Sequence, residues 1–384
     1  MNRHTQIALM RRVFAHLRAG TTDSAASVER NAAAAYAGHE WLAREQAVLF
    51  RHYPLAMGLA CQLRQPGDFM THDQSGLPIL IVRGEDGRIG AFVNACAHRG
   101  ARVADGSGNR RQLACPYHGW TYRLDGSLRG IPDERSFPGV DKCTHGLRPL
   151  PAAEHDGLIW VVPDPEAPLA IDIAAHLGAE LDAELASFGL AGYHHYETRL
   201  ITRAMNWKLA IDTFLEPYHL AVLHRQTVAP LFQANLCLFD AFGPHLREVL
   251  PRRSLNALAE QPEEQWDLIA HNTLVYVLFP NTVFVVQVDH VETWRVFPVP
   301  DRPGECAMHL DFYAPDPIDT DSARGHWARN MDLTIRTVCE EDFPACEGMQ
   351  FAFNAGARSE VVYGCNEPAL AHYQRSVRAV VTGA

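Results

Sequence analysis

The pattern of apolar and polar positions changes twice along this chain. Over residues 1–60 apolar side chains recur at roughly helical spacing. "SAASVERNAAAAYAGHEWLAREQAVLF" (24–50) is rich in Ala and Glu and is free of proline, which predicts helix. From about Gln65 the texture is different: short β-prone runs such as Ile79–Val82 alternate with the turn dipeptides Pro66-Gly67 and Asp86-Gly87. Asp125-Gly126 predicts a hairpin turn, and "HDGLIWVVPDPEAP" gives one more strand before a proline-rich exit at 163–168. These features predict a small all-β domain. Beyond it, "DIAAHLGAELDAELASF" and "WKLAIDTFLEPYHLAVLH" (207–224) read as helices. "TLVYVLFPNTVFVVQVDHVETWRVFPV" and "CAMHLDFYAP" read as long antiparallel strands, and 321–343 as a closing helix. Long strands followed by a helix predict α+β layering. The expected organisation is N-terminal helices over 1–59 packing on the last domain, an all-β domain over 60–165, and a larger α+β domain over 166–384.

Composition narrows the classes. Acidic residues outnumber basic ones, 45 to 34, for a net charge of -11, which favours solubility; no run of five like charges suggests a nucleic-acid arm. The 9 cysteines are odd in number and contain no CxxC pair, which argues against a disulfide framework. The start, "MNRHTQIALMRRVFAHLRAG", lacks the apolar core of a secretory signal, and its arginines are soon followed by Glu29, Glu40 and Glu45, as on a surface helix. No stretch approaches the roughly 18 uninterrupted apolar residues of a membrane span. The expectation is a soluble cytoplasmic protein with neither membrane nor nucleic acid as partner.

The chemistry concentrates first in "ACAHRGARVADGSGNRRQLACPYHGW" (95–120). Two loops each carry one thiol and one imidazole, Cys96 with His98 and Cys115 with His118. Structural zinc usually draws ligands from knuckles with two to four intervening residues, and thiolates predominate. Here one residue intervenes in the first loop and two in the second, the spacing of a Rieske [2Fe–2S] cluster. Replacing two thiolates by neutral imidazoles lowers the negative charge on a cluster and raises its potential. Gly100, Pro116 and Gly119 let the loops turn tightly, and Trp120 is expected to pack beneath the cluster. "GSGNRR" (106–111) begins like a dinucleotide fingerprint but ends in Arg111, between the cluster loops, and reads as a turn.

A second constellation lies in "NWKLAIDTFLEPYHLAVLH" (206–224). His219 and His224 are five apart, well off one face of a regular α-helix; a π-type widening would bring them together. Alone, such a pair is more often surface or core than ligand. Two imidazoles and one carboxylate make the facial triad of non-haem Fe(II), and Asp289, Glu340, Glu341 and Asp342 are all downstream candidates. Spacing does not choose among them.

Taken together, the two constellations resemble the oxygenase (α) component of Rieske non-haem iron oxygenases, the ring-hydroxylating family. The resemblance covers nearly the whole length through the Rieske loops, "NWK" (206–208), "ExxHxxxxH" (216–224), "FPNTVF" (279–284) and "EDFPACEGMQ" (341–350). It implies a helix-grip catalytic domain, His219, His224 and Asp342 on the mononuclear iron, and Glu216 as a carboxylate bridging to His118 of a neighbouring subunit. It further implies a homotrimer that takes electrons from a separate reductase or ferredoxin, so that NAD(P)H acts only indirectly. With O2 it would mono- or dioxygenate a small organic substrate, an aromatic one by the family's main habit. Glutamate rather than aspartate at 216 is similar to the subgroup acting on quaternary ammonium compounds. Leu215, Leu223, Phe232, Val285 and Trp294 are expected around the substrate, with Tyr193, Tyr196, Tyr276 and Trp294 as candidate cage aromatics for a cation. A Rieske electron carrier would need only the small β domain. A zinc-stabilised interaction protein would need neither HxxxxH nor the late acidic motif.

Overall fold

The computed structural model describes residues 1–383, which divide into two compact units. The smaller comprises Gln46–His176 with Leu190–Gly192. The expected strands appear. Ile79–Arg83 is fully buried at the centre of a five-stranded antiparallel sheet, between Asp68–His72 and Ile89–Val93. A second sheet pairs Ala152–His155, Leu158–Val161 and Leu55–Leu59. A third places the Asp125-Gly126 turn between Thr121–Tyr122 and Leu128–Gly130. Two readings are corrected here. Leu55–Leu59, expected to be helical, follows Pro54 and is buried along its whole length as a strand. Ser107–Asn109, read as a turn, pairs with Asp68–Met70 as an exposed edge strand, where glycine is tolerated.

The larger unit takes Met1–Glu45, Leu177–Gly189 and the chain from Tyr193 onward. Its frame is a seven-stranded antiparallel sheet in the order His194–Arg203, Arg302–Ala314, Val291–Val299, Thr282–Val286, Asn272–Leu278, His245–Pro251, Leu238–Phe242. Asn272–Leu278 and Thr282–Val286 are buried on both faces, as their unbroken apolar and β-branched runs require. The edge strand His194–Arg203 ends in alternating half-buried and exposed positions. Helix Trp207–Asp212 packs on Val291–Val299 and Arg302–Ala314, and helix Pro368–Thr382 packs on the two strands at the opposite edge.

The N-terminal helical reading holds for Arg3–Ala19 and His39–His52, but Glu29–Ala32 is a strand paired with Glu360–Tyr363. The partner is more than three hundred residues away, so local propensity gave no sign of it. The "NWK" motif is structural. Asn206 caps its helix by accepting from the Lys208 amide; Lys208 Nζ and Trp207 Nε1 then both reach the Glu45 carboxylate, at 2.5 and 2.8 Å, in a buried site.

Candidate metal centres

The two cysteine–histidine loops share one backbone design. The amide of Cys96 donates to the carbonyl five residues on, Ala101 O, and Gly100 N returns to Cys96 O, each at 2.8 Å. Cys115 repeats it with Trp120 O at 2.8 Å and Gly119 N at 3.0 Å. Gly100 and Gly119 both adopt left-handed φ, 77° and 72°, as such a closed turn demands. Each cysteine is buried, while His118 is exposed and His98 half-buried. The two imidazoles meet edge to edge, with Nδ1 of His98 and Nδ1 of His118 3.1 Å apart.

Trp120 lies beneath, as expected, stacked on His98 at 5.0 Å with planes 7° apart. Tyr122 donates its hydroxyl toward Cys96 Sγ at 3.1 Å and accepts from Ala97 N at 2.9 Å. Burial raises the Cys96 thiol pKa, an effect that the Tyr122 hydrogen bond partly offsets and the neighbouring Cys115 reinforces. An iron bound to the sulfurs would reverse that preference and hold the thiolates. A thiol pair in the core and an imidazole pair at the surface, with ring nitrogens converging on one point, fit the mixed donor set of a [2Fe–2S] cluster.

In the larger unit the expected long helix over 207–224 is broken. It stops at Asp212, crosses Pro217 and resumes only as Leu220–Leu223. His219 is the N-cap of that short helix and His224 its C-cap. No π turn joins them: the two histidines stand at opposite ends of this single turn, with ring centroids 5.0 Å apart.

The π widening lies elsewhere. The closing helix begins at Asp321, becomes a π-helix over Ile335–Asp342 and continues as Phe343–Asn354. Phe343 N bonds to Val338 O in place of Cys339 O, and the next residue, Pro344, has no N–H to offer. Cys339 O is satisfied instead by Arg203 Nη2 at 2.9 Å. The bulge ends on Asp342, whose buried carboxylate faces both histidines.

Asp342 Oδ1 lies 3.1 Å from His224 Nε2 and 3.5 Å from His219 Nε2. One donor atom from each of His219, His224 and Asp342 falls within 4.8 Å of the others. The opposite ring nitrogens are occupied: His219 Nδ1–H donates to Glu216 Oε1 at 2.5 Å, and His224 Nδ1–H to Glu341 Oε2 at 2.6 Å. Glu216 also accepts from the His219 amide, and Thr227 fixes Glu341 at 2.7 Å. Burial lowers the His224 pKa, but hydrogen bonds and charge from Asp342 and Glu341 outweigh it and raise it overall. Three carboxylates about two imidazoles call for a cation, and both Nε2 atoms point toward the Asp342 oxygen, where one fits.

Of the four carboxylates open from the sequence, Asp342 is the one brought to both histidines. Glu341 sits behind His224, Glu340 is exposed, and Asp289 pairs with His290 and His326. The role of Glu341 was missed, although its adjacency to Asp342 was visible.

Comparison with known proteins decides the family. Residues 190–383 match the family "Ring hydroxylating alpha subunit (catalytic domain)", and 54–151 match the "Rieske [2Fe-2S] domain". The chain belongs to the ring-hydroxylating alpha-subunit family. Members carry a Rieske cluster and a mononuclear iron, the two groups for which these residues supply fitting donors.

Among relatives of this family member, the glycine betaine monooxygenase oxygenase subunit of Chromohalobacter salexigens is 33% identical over 227 residues, covering 59% of this chain and 49% of that protein. The chlorobenzene dioxygenase subunit alpha of a Cupriavidus species is 34% identical over 178 residues, covering 44% and 38%. The chain thus spans about half the length, or less, of these curated relatives. The crystal structure of the quaternary ammonium Rieske monooxygenase CntA with an inhibitor aligns with a TM-score of 0.80 at 22% identity, over 92% of this chain and 96% of that one, a likeness of fold.

The larger unit also holds a cavity of about 460 Å³. Phe214, two residues before Glu216, lines it, as do Thr337 and Val338, one π turn before Asp342. Of the expected lining residues Phe232 and Val285 are present. Leu215, Leu223 and Trp294 are not; Trp294 is fully buried against Phe214 and Phe343. Tyr193, Tyr196 and Tyr276 lie outside the lining, and Tyr276 is a buried partner of Glu184.

Proposed function

We propose that this chain is a terminal oxygenase component that uses O2 and electrons from a separate reductase or ferredoxin to oxygenate a small organic substrate. Cys96, Cys115, His98 and His118 would hold the [2Fe–2S] cluster, and His219, His224 and Asp342 the mononuclear iron. When bound, the cluster supplies single electrons and the iron supplies oxygen activation. The protein's own part is orientation. Glu216 and Glu341 each hold a proton on Nδ1 and so fix the tautomer that leaves Nε2 as the donor. The observation that carries this reading is the pair of imidazoles aimed at one Asp342 oxygen, each braced behind by a carboxylate.

The assembly that best uses these features is a homotrimer, in which Glu216 of one subunit reaches His118 of its neighbour. The exposure of His118 in the single chain supports this. For substrate class, the lining of Phe214, Val228, Leu231, Phe232, Val275 and Val285 favours a largely apolar body, with an aromatic ring as the first candidate. A quaternary ammonium compound is the second reading. It is favoured by Glu216 and by the betaine monooxygenase relative, and weakened because, among the described residues, the cavity is lined by two phenyl rings, Phe214 and Phe232, and by no Tyr or Trp.

The test is iron, zinc and acid-labile sulfide per chain on protein purified without oxygen, followed by O2 uptake with a reductase and candidate substrates. Iron in excess of sulfide, with no zinc, and substrate-dependent O2 uptake are expected. Iron equal to sulfide would leave the electron-carrier reading, and zinc without sulfide would overturn both centres.

A further inference from the structure

Two cationic side chains, His290 and Arg252, line this cavity, which Phe214, Thr337 and Val338 also line from the segments that carry Glu216 and Asp342, and they are held in different ways. His290 lies between two carboxylates: Nδ1 donates to Asp289 at 2.8 Å, and Nε2 is 3.4 Å from Glu292. Arg252 has no carboxylate partner among the described residues. Its Nη2 donates to two neutral acceptors, Gln287 Oε1 at 2.7 Å and Thr273 Oγ1 at 3.1 Å. Arg252 is half-buried: Nε is buried without any hydrogen bond, while Nη1, which has no protein acceptor among the described residues, is open to solvent. The face of Phe232 lies 5.3 Å from the guanidinium carbon.

The neighbouring network explains why the charge stays unpaired. Gln287 turns its carbonyl oxygen to Arg252 and its Nε2–H to Glu292 Oε1 at 3.0 Å, so an amide stands between the cation and Glu292. Trp294 Nε1 donates to the other oxygen of Glu292 at 3.3 Å. Asp289 is shared between His290 and His326, both at 2.8 Å. Every nearby acid is thus engaged. The guanidinium is fixed in direction by neutral groups, its buried Nε lacks an acceptor at a cost, and its solvent-open Nη1 is free to take an anionic ligand.

We propose that Arg252 is a specificity-determining residue that binds a carboxylate of the substrate, so that this enzyme takes a small organic acid whose apolar body lies along Val275, Val285 and Leu333. The inference rests on reading this cavity as the substrate site of the oxygenase. A planar fork of N–H donors matches a carboxylate in a way that a lysine does not. The proposal also divides the second substrate reading: glycine betaine carries a carboxylate beside its quaternary nitrogen, whereas choline carries a hydroxyl.

The experiment measures binding to the metal-replete protein by calorimetry at fixed ionic strength. The probes are two pairs that differ in the carboxylate, benzoate against benzamide and glycine betaine against choline. The wild type should bind the acid of at least one pair about tenfold or more tightly than its partner. Arg252→Gln should abolish that preference, and Arg252→Lys should restore part of it. Coinciding melting curves establish that the variants are folded; if Arg252→Gln is not, Arg252→Lys alone must still lower the preference. An undiminished preference in the folded variants overturns the proposal, as does a wild type that binds neither acid or prefers the partner lacking the carboxylate. Oxygen uptake on the same samples separates the two readings. An Arg252-dependent preference without uptake overturns the oxygenase reading alone, whereas uptake with no such preference overturns the carboxylate site alone.

Discussion

At the scale of single residues, the two carboxylates behind the imidazoles should be separable by experiment. Glu216 touches His219 through both its amide and its ring. In our reading it also extends toward the neighbouring subunit's cluster. We expect Glu216→Gln to retain both metals while turnover falls at least about a hundredfold, since the amide keeps the shape but not the charge. Wild-type turnover in metal-replete Glu216→Gln protein would refute that role. Glu341 braces His224 and is itself held by Thr227. Glu341→Gln should instead weaken mononuclear iron binding by about 10- to 100-fold, read by iron titration, with the visible spectrum of the cluster unchanged. The difference follows from position, because Glu341 serves only its own site.

At the scale of elements, both centres depend on departures from regular structure. The cluster loops close on left-handed glycines. A side chain there costs about 1–2 kcal/mol for the backbone alone. An added Cβ meets nothing within 4 Å at Gly100 but lies 3.2 Å from Pro132 Cγ at Gly119. Gly119→Ala should therefore lower the temperature of cluster bleaching more than Gly100→Ala, in thermal melts followed by cluster absorbance; the reverse order would refute the loop argument. In the larger unit, a helix break presents the histidines and a π-helix presents the aspartate. Both trace to proline: Pro217 lies in the gap before the short ligand helix, and Pro344 removes an N–H just after the bulge.

For the whole molecule, buried ionisable groups set how stability varies with pH. Burial disfavours the charged form of His290, but its bond to Asp289 and the charge of Glu292 prevail and push it up to about 9 from 6.5. Its contribution is complete below pH 6.5 and is lost as pH rises through about 9. Burial raises Asp212 to about 7 and Glu248 to about 8. A carboxyl raised in the folded state also loses stability as pH rises, from its unfolded pKa up to the folded one. All three act in one direction, so the urea midpoint should fall steadily from pH 6 to pH 9. His290→Gln should flatten the upper part of that slope. A midpoint that rises over this range would contradict these assignments. No helix among the described residues is long and apolar enough to cross a membrane.

The legible parts of this protein were those encoded locally. Alternation and turn dipeptides marked the strands, and the order of Cys96, His98, Cys115 and His118 marked the two closed loops proposed to hold the cluster, because such a loop fixes its side chains within a few residues. His219 and His224 were visible for the same reason. The choice among Asp289, Glu340, Glu341 and Asp342 was not, since these lie 65 to 118 residues beyond His224 and the π segment sets which carboxylate faces inward. Pairing of Glu29–Ala32 with Glu360–Tyr363, the brace from Glu341 to His224, and the cavity position of Arg252 were equally hidden. Each depends on which surfaces meet when the sheet and its helices pack. Residue types and short spacings supplied the proposed donor set for two metal centres; only tertiary packing decided which of those side chains converge, and what else stands beside them.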